Sequence, residues 1–170
     1  ICEYLIYPRK INELINIIKY LKENSIEFLI LGNGSNIILS KQKYKIVIKL
    51  DKLNIILIKG NIVEAECGVN LVKLLNICTE RGLSGLEFLT SIPGQVGAST
   101  KNNTGAFEKS IGDYVIEVKV LDENYNIVTL ENKDIKFKYR SSIFKENTNL
   151  IVVSTTFKLN MTSPEIIKNI

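Results

Sequence analysis

A helical apolar period set between strand-like runs constrains this chain more than any other feature. Ile11, Leu14, Ile15, Ile18 and Leu21 recur at three- and four-residue spacing within residues 10–24, which predicts one amphipathic helix. Ahead of it, "EYLIYP" (Glu3–Pro8) reads as a short strand closed by proline, and after it "EFLIL" reads as a buried strand. "NIIL" (36–39) and "KIVIKL" (45–50) extend the pattern, so the first fifty residues predict β-α-β-β-β. Further on, "IVEAECG" alternates as a strand does. Asn70 stands where it can cap a helix over "LVKLLNICTERG", which Gly82 ends. "YVIEVKVLDENYNIVTL" predicts a hairpin that turns at Glu123-Asn124-Tyr125-Asn126, and "LIVVSTTFKLN" a last strong strand. This order of periods predicts an α+β protein whose two small lobes, 1–52 and 53–160, share a cleft.

Residues 161–170 read as the start of a helix, with Ser163 as N-cap, Pro164 at the first position and Glu165 in the first turn. That helix has room for only about two turns, and Ile1 is not an initiator methionine. The chain is therefore expected to be a piece of a longer protein. With 45% hydrophobic and 24% charged residues it has globular composition, with no uncharged apolar run long enough to span a membrane and no signal-peptide pattern. The formal charge of +4 comes from scattered lysines, a solvated surface rather than a nucleic-acid footprint. Cys2, Cys67 and Cys78 lack any CxxC spacing, which suits a reduced, cytoplasmic compartment. Histidine is absent, which removes histidine triads, most zinc sites and the commonest general base; no metal site is expected.

Three stretches have little side-chain bulk. "LGNGSNIIL" places Gly32, Asn33, Gly34, Ser35 and Asn36 after a strand, where main-chain N–H groups can form a concavity for phosphate oxygens. It lacks the Lys-Ser/Thr of a Walker A loop and the third glycine of a Rossmann fingerprint, so the alternatives are a strand-to-strand phosphate nest and a plain turn. "SIPGQVGAST" carries Pro93-Gly94 and then Gly97, Ala98, Ser99 and Thr100, which suits either a ligand wall with two hydroxyls or a helix start packed tightly on a neighbour. "NNTGA" (102–106) follows. Three such stretches in one short chain suggest an extended, phosphate-bearing ligand. In "YRSS", Arg140 is one of only three arginines in a lysine-rich chain; its planar donor fork suits a carboxylate or developing enolate, and an exposed structural arginine is the alternative.

Taken together, these elements resemble the flavin-binding part of the UDP-N-acetylenolpyruvoylglucosamine reductase (UDP-N-acetylmuramate dehydrogenase) family. "LGNGSNIIL" is similar to its pyrophosphate turn, "GLSGLEFLTSIPGQVGA" to its long glycine signature, and "YRSSIF" to its Tyr-Arg-x-Ser motif. The likeness runs over nearly the whole chain. It implies a two-lobed, PCMH-type (vanillyl-alcohol-oxidase-like) FAD-binding fold, with FAD as cofactor, NADPH as co-substrate and a UDP-sugar as the small-molecule partner. It implies that Gly32, Asn33, Gly34, Ser35 and Asn36 cradle the pyrophosphate, and that Ile92, Pro93, Gly94, Gly97, Ala98, Ser99, Asn103 and Gly105 line the rest of the FAD site. Arg140, with Tyr139 beside it, is implied as catalytic, stabilising the enolate that follows hydride transfer. The family's proton-donor serine and its substrate domain lie beyond the residues matched here, so this chain alone is expected to be inactive. Glu108-Lys109 stand where the family has glycines, and Ser110 where it has an acid. The alternatives are a degenerate FAD-binding module without activity and a flavin oxidase of the same fold.

Overall fold

Leu14, Ile18 and Leu21 are the buried stripe of α1 (Ile11–Glu23), and they close over a parallel sheet made by β1 (Cys2–Ile6), β2 (Phe28–Leu31) and β3 (Tyr44–Lys49). A computed structural model of the chain describes residues 2–35, 37–38 and 43–168. β3 lies between β1 and β2, pairing Ile46 with both Tyr4 and Phe28 and Ile48 with both Ile6 and Ile30. One expected strand is corrected: Ile37 and Ile38 belong to no strand, while Asn36 and Leu39 lie outside the described residues. Ile38 is 96% exposed, so it has no sheet face to bury against.

The second sheet is antiparallel and five-stranded. It combines β4 (Ile56–Lys59), β5 (Ile62–Glu66), β9 (Val115–Leu121), β10 (Ile127–Glu131) and β11 (Ile151–Lys158) in the order β10-β9-β11-β5-β4. Val63 and Ala65 of β5 point into the core and Glu64 points out, where its Oε1 accepts hydrogen bonds from Lys119 Nζ and Ser154 Oγ, each at 2.7 Å. The hairpin between β9 and β10 turns as expected. Asp122 Oδ1 accepts from the N–H groups of Asn124 and Asn126 at 2.9 and 2.8 Å. α2 (Leu71–Glu80) carries the expected cap, Asn70 Oδ1 accepting from Val72 N at 2.9 Å.

The glycine-rich middle of the chain is built from short pieces: β6 (Leu83–Ser84), a 3-10 turn at Glu87–Leu89, α3 (Val96–Lys101), and a small hairpin of β7 (Gly105–Ala106) and β8 (Lys109–Ser110). Single turns α4 (Asn132–Ile135) and α5 (Ile143–Glu146) flank the Tyr-Arg-Ser motif. β12 (Asn160–Met161) pairs with β6, and α6 (Pro164–Lys168) starts as expected, Ile166 N reaching Ser163 Oγ at 3.4 Å. No helix among the described residues is long and apolar enough to cross a membrane.

The tip of the β7–β8 hairpin explains why glycines suit this segment. Phe107 and Glu108 occupy it with φ of 52° and 61°, the left-handed values a two-residue hairpin turn demands. Non-glycine residues pay for this conformation. Glu108→Gly is expected to stabilise the protein by about 0.5–1 kcal/mol, a rise of about 2 °C in Tm by calorimetry. A fall in Tm would mean that the Glu108 side chain does more for the turn than its backbone costs.

Candidate functional site

The glycine turn leaves β2 at Gly32 and is anchored by β3 and by the segment that starts α3. Lys49 Nζ donates to the Gly32 carbonyl at 2.6 Å and lies 3.6 Å from Asp51 Oδ1. The same Asp51 oxygen accepts from Gln95 Nε2 at 2.7 Å, and Gln95 is buried. A Cβ on Gly32 would stand 3.0 Å from Gln95 Oε1, so glycine permits this close approach. Farther along, Ser35 Oγ donates to the Pro93 carbonyl at 3.1 Å, which fastens the first bare-backbone stretch to the second. Gly34 lies between them at φ +78°, with open space where a side chain would be. The backbone N–H groups of Asn33, Gly34 and Ser35 make no hydrogen bond to another described residue. Asn36, the last member of the expected cradle, lies outside the described residues.

The two faces of "SIPGQVGAST" differ. The segment does start a helix packed on a neighbour: Val96 N donates to Val69 O and Gly97 N to Cys67 O, both at 2.9 Å. A Cβ on Gly97 would fall 2.7 Å from Cys67 Cβ. Ala98 and Ser99, by contrast, line a cavity. Thr100 corrects an expectation, because its hydroxyl is not free for a ligand. It is fully buried and shares a 2.8 Å hydrogen bond with Thr155 Oγ1 of β11. Asn103 is likewise occupied: Nδ2 donates to Lys138 O at 2.8 Å and Oδ1 accepts from Gly112 N at 2.9 Å. Its amide braces the loop beneath Tyr139 and Arg140.

Those two residues form the tip of a tight turn closed by reciprocal Lys138–Ser141 backbone bonds of 3.0 and 3.1 Å. Arg140 sits there at φ 52°, strained for an arginine, with its carbonyl accepting from Lys145 Nζ at 3.1 Å. Ser142 Oγ donates to Lys101 O at 2.6 Å, tying this motif to the end of α3. Tyr139 is 91% exposed and takes no part in packing.

A cavity of about 470 Å³ is bordered by Ser35, Ile92, Pro93, Gly94, Ala98, Ser99 and Arg140, so one opening collects members of all three motifs. Asn103, Gly105 and Tyr139 border a second cavity of about 710 Å³, which Arg140 also reaches. A third, of about 420 Å³, lies between β2 and the start of β11. It meets the first at Ala98 and contains Gly32, Gln95, Gly97 and the apolar side chains of Phe28, Ile30, Leu50 and Val152. Among the described residues, neither of the two cavities that meet at Ala98 has an aspartate or glutamate on its wall; their charged groups are Lys22, Lys101, Arg140 and Lys145. An extended anion with a flat apolar end fits this arrangement: bare backbone and cations for phosphates, an apolar slot for an aromatic ring. Burial pushes the thiols of Cys67 and Cys78 up to about 12, with Glu66 and Glu87 adding to it, so both act as packing residues rather than nucleophiles. The described residues hold no cluster suited to a metal ion.

Sequence reasoning missed the Lys49–Asp51–Gln95 clamp and the lysines of the third cavity. Gln95 belongs to the "SIPGQVGAST" stretch, but only the folded chain brings it against Asp51, 44 positions away.

The family described as an FAD binding domain matches residues 2–131. UDP-N-acetylenolpyruvoylglucosamine reductase of Caldicellulosiruptor saccharolyticus is 39% identical over 163 residues, 95% of this chain and 52% of that protein. The reductase of the same name from Caldanaerobacter subterraneus subsp. tengcongensis is 40% identical over 145 residues, 85% of this chain and 48% of that protein. The chain thus spans about half the length of the curated relatives it matches. Among solved structures, UDP-N-acetylenolpyruvylglucosamine reductase from Thermus caldophilus superposes with a TM-score of 0.79 at 27% identity, covering 97% of this chain and 58% of that one. A Phl p 4 variant described as a glucose oxidase superposes with a TM-score of 0.71 at 16% identity, over 96% of this chain and 36% of that one, a likeness of fold alone. The expected two-lobed, PCMH-type FAD-binding fold is therefore borne out.

Proposed function

The chain belongs to the FAD binding domain family, and on that premise we propose that it is the FAD-holding portion of a reductase that converts UDP-N-acetylenolpyruvoylglucosamine to UDP-N-acetylmuramate with NADPH, in the cytoplasm, for peptidoglycan precursor synthesis. The observation that carries this reading is the meeting of three motifs at one cavity, Ser35 held to Pro93 on one side and Arg140 on the other. In this reading the N–H groups of Asn33, Gly34 and Ser35 hold the pyrophosphate. Residues 92–99 would hold the flavin, and the slot between β2 and β11 would take the adenosine end. FAD supplies the two-electron hydride chemistry that links NADPH to the enolpyruvyl group. The protein's part is geometric and electrostatic. The Lys49–Asp51–Gln95 clamp holds the glycine turn against α3, and the Arg140 guanidinium offers a preorganised donor fork to the negative charge that develops on the substrate.

The test is flavin binding by the 170-residue chain. Titration with FAD is expected to give a bound-flavin absorbance spectrum. Gly34→Val is expected to weaken binding at least about tenfold while the circular dichroism spectrum is preserved, because a branched Cβ at φ +78° both strains the turn and blocks close approach. Unchanged FAD affinity in folded Gly34→Val protein removes the glycine turn from the site. A folded parent chain that binds no FAD removes the reading as a whole.

A further inference from the structure

Lys101 occupies an unusual place in the third cavity. It stands one helical turn after Ala98 on the same side of α3, so a ligand passing Ala98 next meets its side chain. The residue is half-buried, and no carboxylate among the described residues pairs with its ammonium. Burial, and after it the neighbouring Lys145, hold the amine below the usual lysine range. Lys22 of α1 reaches the same cavity from the other lobe, and its ammonium lies 5.9 Å from the centre of the Tyr125 ring. Two cations therefore border a largely apolar slot, which Gln95, Thr148 and Asn149 also line, with no acidic residue on its wall among the described residues. An unpaired, half-buried ammonium costs free energy unless an anion accompanies it. The backbone gives Lys101 a second reason to stay in position, since its carbonyl accepts from Ser142 Oγ of the Tyr-Arg-Ser motif.

We propose that Lys101 is a phosphate-binding residue of this chain, a positioning group that holds the adenylate phosphate of the dinucleotide and so selects FAD over flavins that lack it. This rests on the reading of the chain as FAD-binding. The expected consequence is a discrimination that α3 adds to that of the glycine turn: the glycine turn grips through neutral N–H groups, and Lys101 through charge, which salt screens.

The experiment titrates FAD and riboflavin into the 170-residue chain and its Lys101→Met and Lys101→Arg variants, at low and at high salt, following flavin fluorescence. Lys101→Met keeps the length and apolar stem of the side chain. It is expected to weaken FAD about tenfold at low salt, to flatten the salt dependence, and to leave riboflavin binding unchanged. Lys101→Arg keeps the charge and is expected to bind FAD within about threefold of the parent. A merely structural lysine would change FAD and riboflavin binding together. Lys101→Met protein that matches the parent in FAD affinity and salt dependence overturns the inference while leaving the FAD reading intact. Equal weakening of both flavins overturns it too, and a parent chain that binds no FAD overturns both.

Discussion

Gly68→Ala is expected to destabilise the protein by about 3 kcal/mol or more, at the upper end of what overpacking a core costs. Gly68 lies two residues beyond β5, where the chain packs against the connection between β3 and β4. A Cβ there would lie 1.9 Å from the Leu50 carbonyl oxygen and 2.7 Å from that of Leu53. Both obstacles are backbone, and both are committed: Leu50 O accepts from Leu53 N at 2.9 Å, and Leu53 O accepts from Gly68 N itself at 2.9 Å. The carbonyls cannot turn aside without giving up these bonds, and Cys67, whose N–H donates to Val153 O at 2.8 Å, holds the strand from the other side. Relief requires the first sheet to move away from the second, which opens the slot between β2 and β11 and takes FAD binding with it. Gly60→Ala is the control. It sits at φ +59° with nothing within 4 Å, so it pays only for the left-handed backbone, about 1–2 kcal/mol. Urea denaturation of the two variants decides the matter. A Gly68→Ala midpoint no lower than that of Gly60→Ala would show that the junction yields.

Gly68 also marks where reading the sequence stops. The helices α1 and α2 were legible because their apolar spacing and the Asn70 cap are local signals, and each depends on contacts within a few residues. β5, β9, β10 and β11 were legible through alternation and a turn whose Asp122 and Asn126 bond locally. The glycine turn and the Tyr-Arg-Ser motif were legible as motifs, since bare backbone and a rare arginine are visible in composition. α3 was not. Its residues include Gly97, Ser99 and Thr100, poor helix formers, and it holds its shape through Gly97 on Cys67 and Thr100 on Thr155. The same long-range packing decides which hydroxyl faces the cavity, which is why Thr100 reads as a ligand group in sequence and is a core hydrogen bond in the fold. The expected strand failed at Ile37 and Ile38 for the complementary reason: apolar composition predicts a strand, but only a neighbouring strand can make one.

Arg140→Lys is expected to lower kcat by about 10²-fold or more, the scale for removing one preorganised donor aimed at developing charge. The assay is substrate-dependent NADPH oxidation by the protein extended to the full length of its relatives. FAD affinity is expected to stay within about twofold, because lysine keeps the positive charge and loses only the planar fork. The backbone sharpens the prediction. Arg140 holds φ 52° at the tip of a turn that glycine would enter without strain, so an arginine there costs stability. Arg140→Gly should therefore raise the denaturation midpoint, by about 0.5–1 kcal/mol, while abolishing turnover, the trade expected of a residue kept for chemistry. A structural arginine would give the opposite pair, lower stability with activity preserved. Turnover by Arg140→Lys within about threefold of the parent would return Arg140 to the surface-residue alternative. It would also leave Lys145, whose ammonium is anchored on the Arg140 carbonyl and borders the same cavity, as the cation to test next.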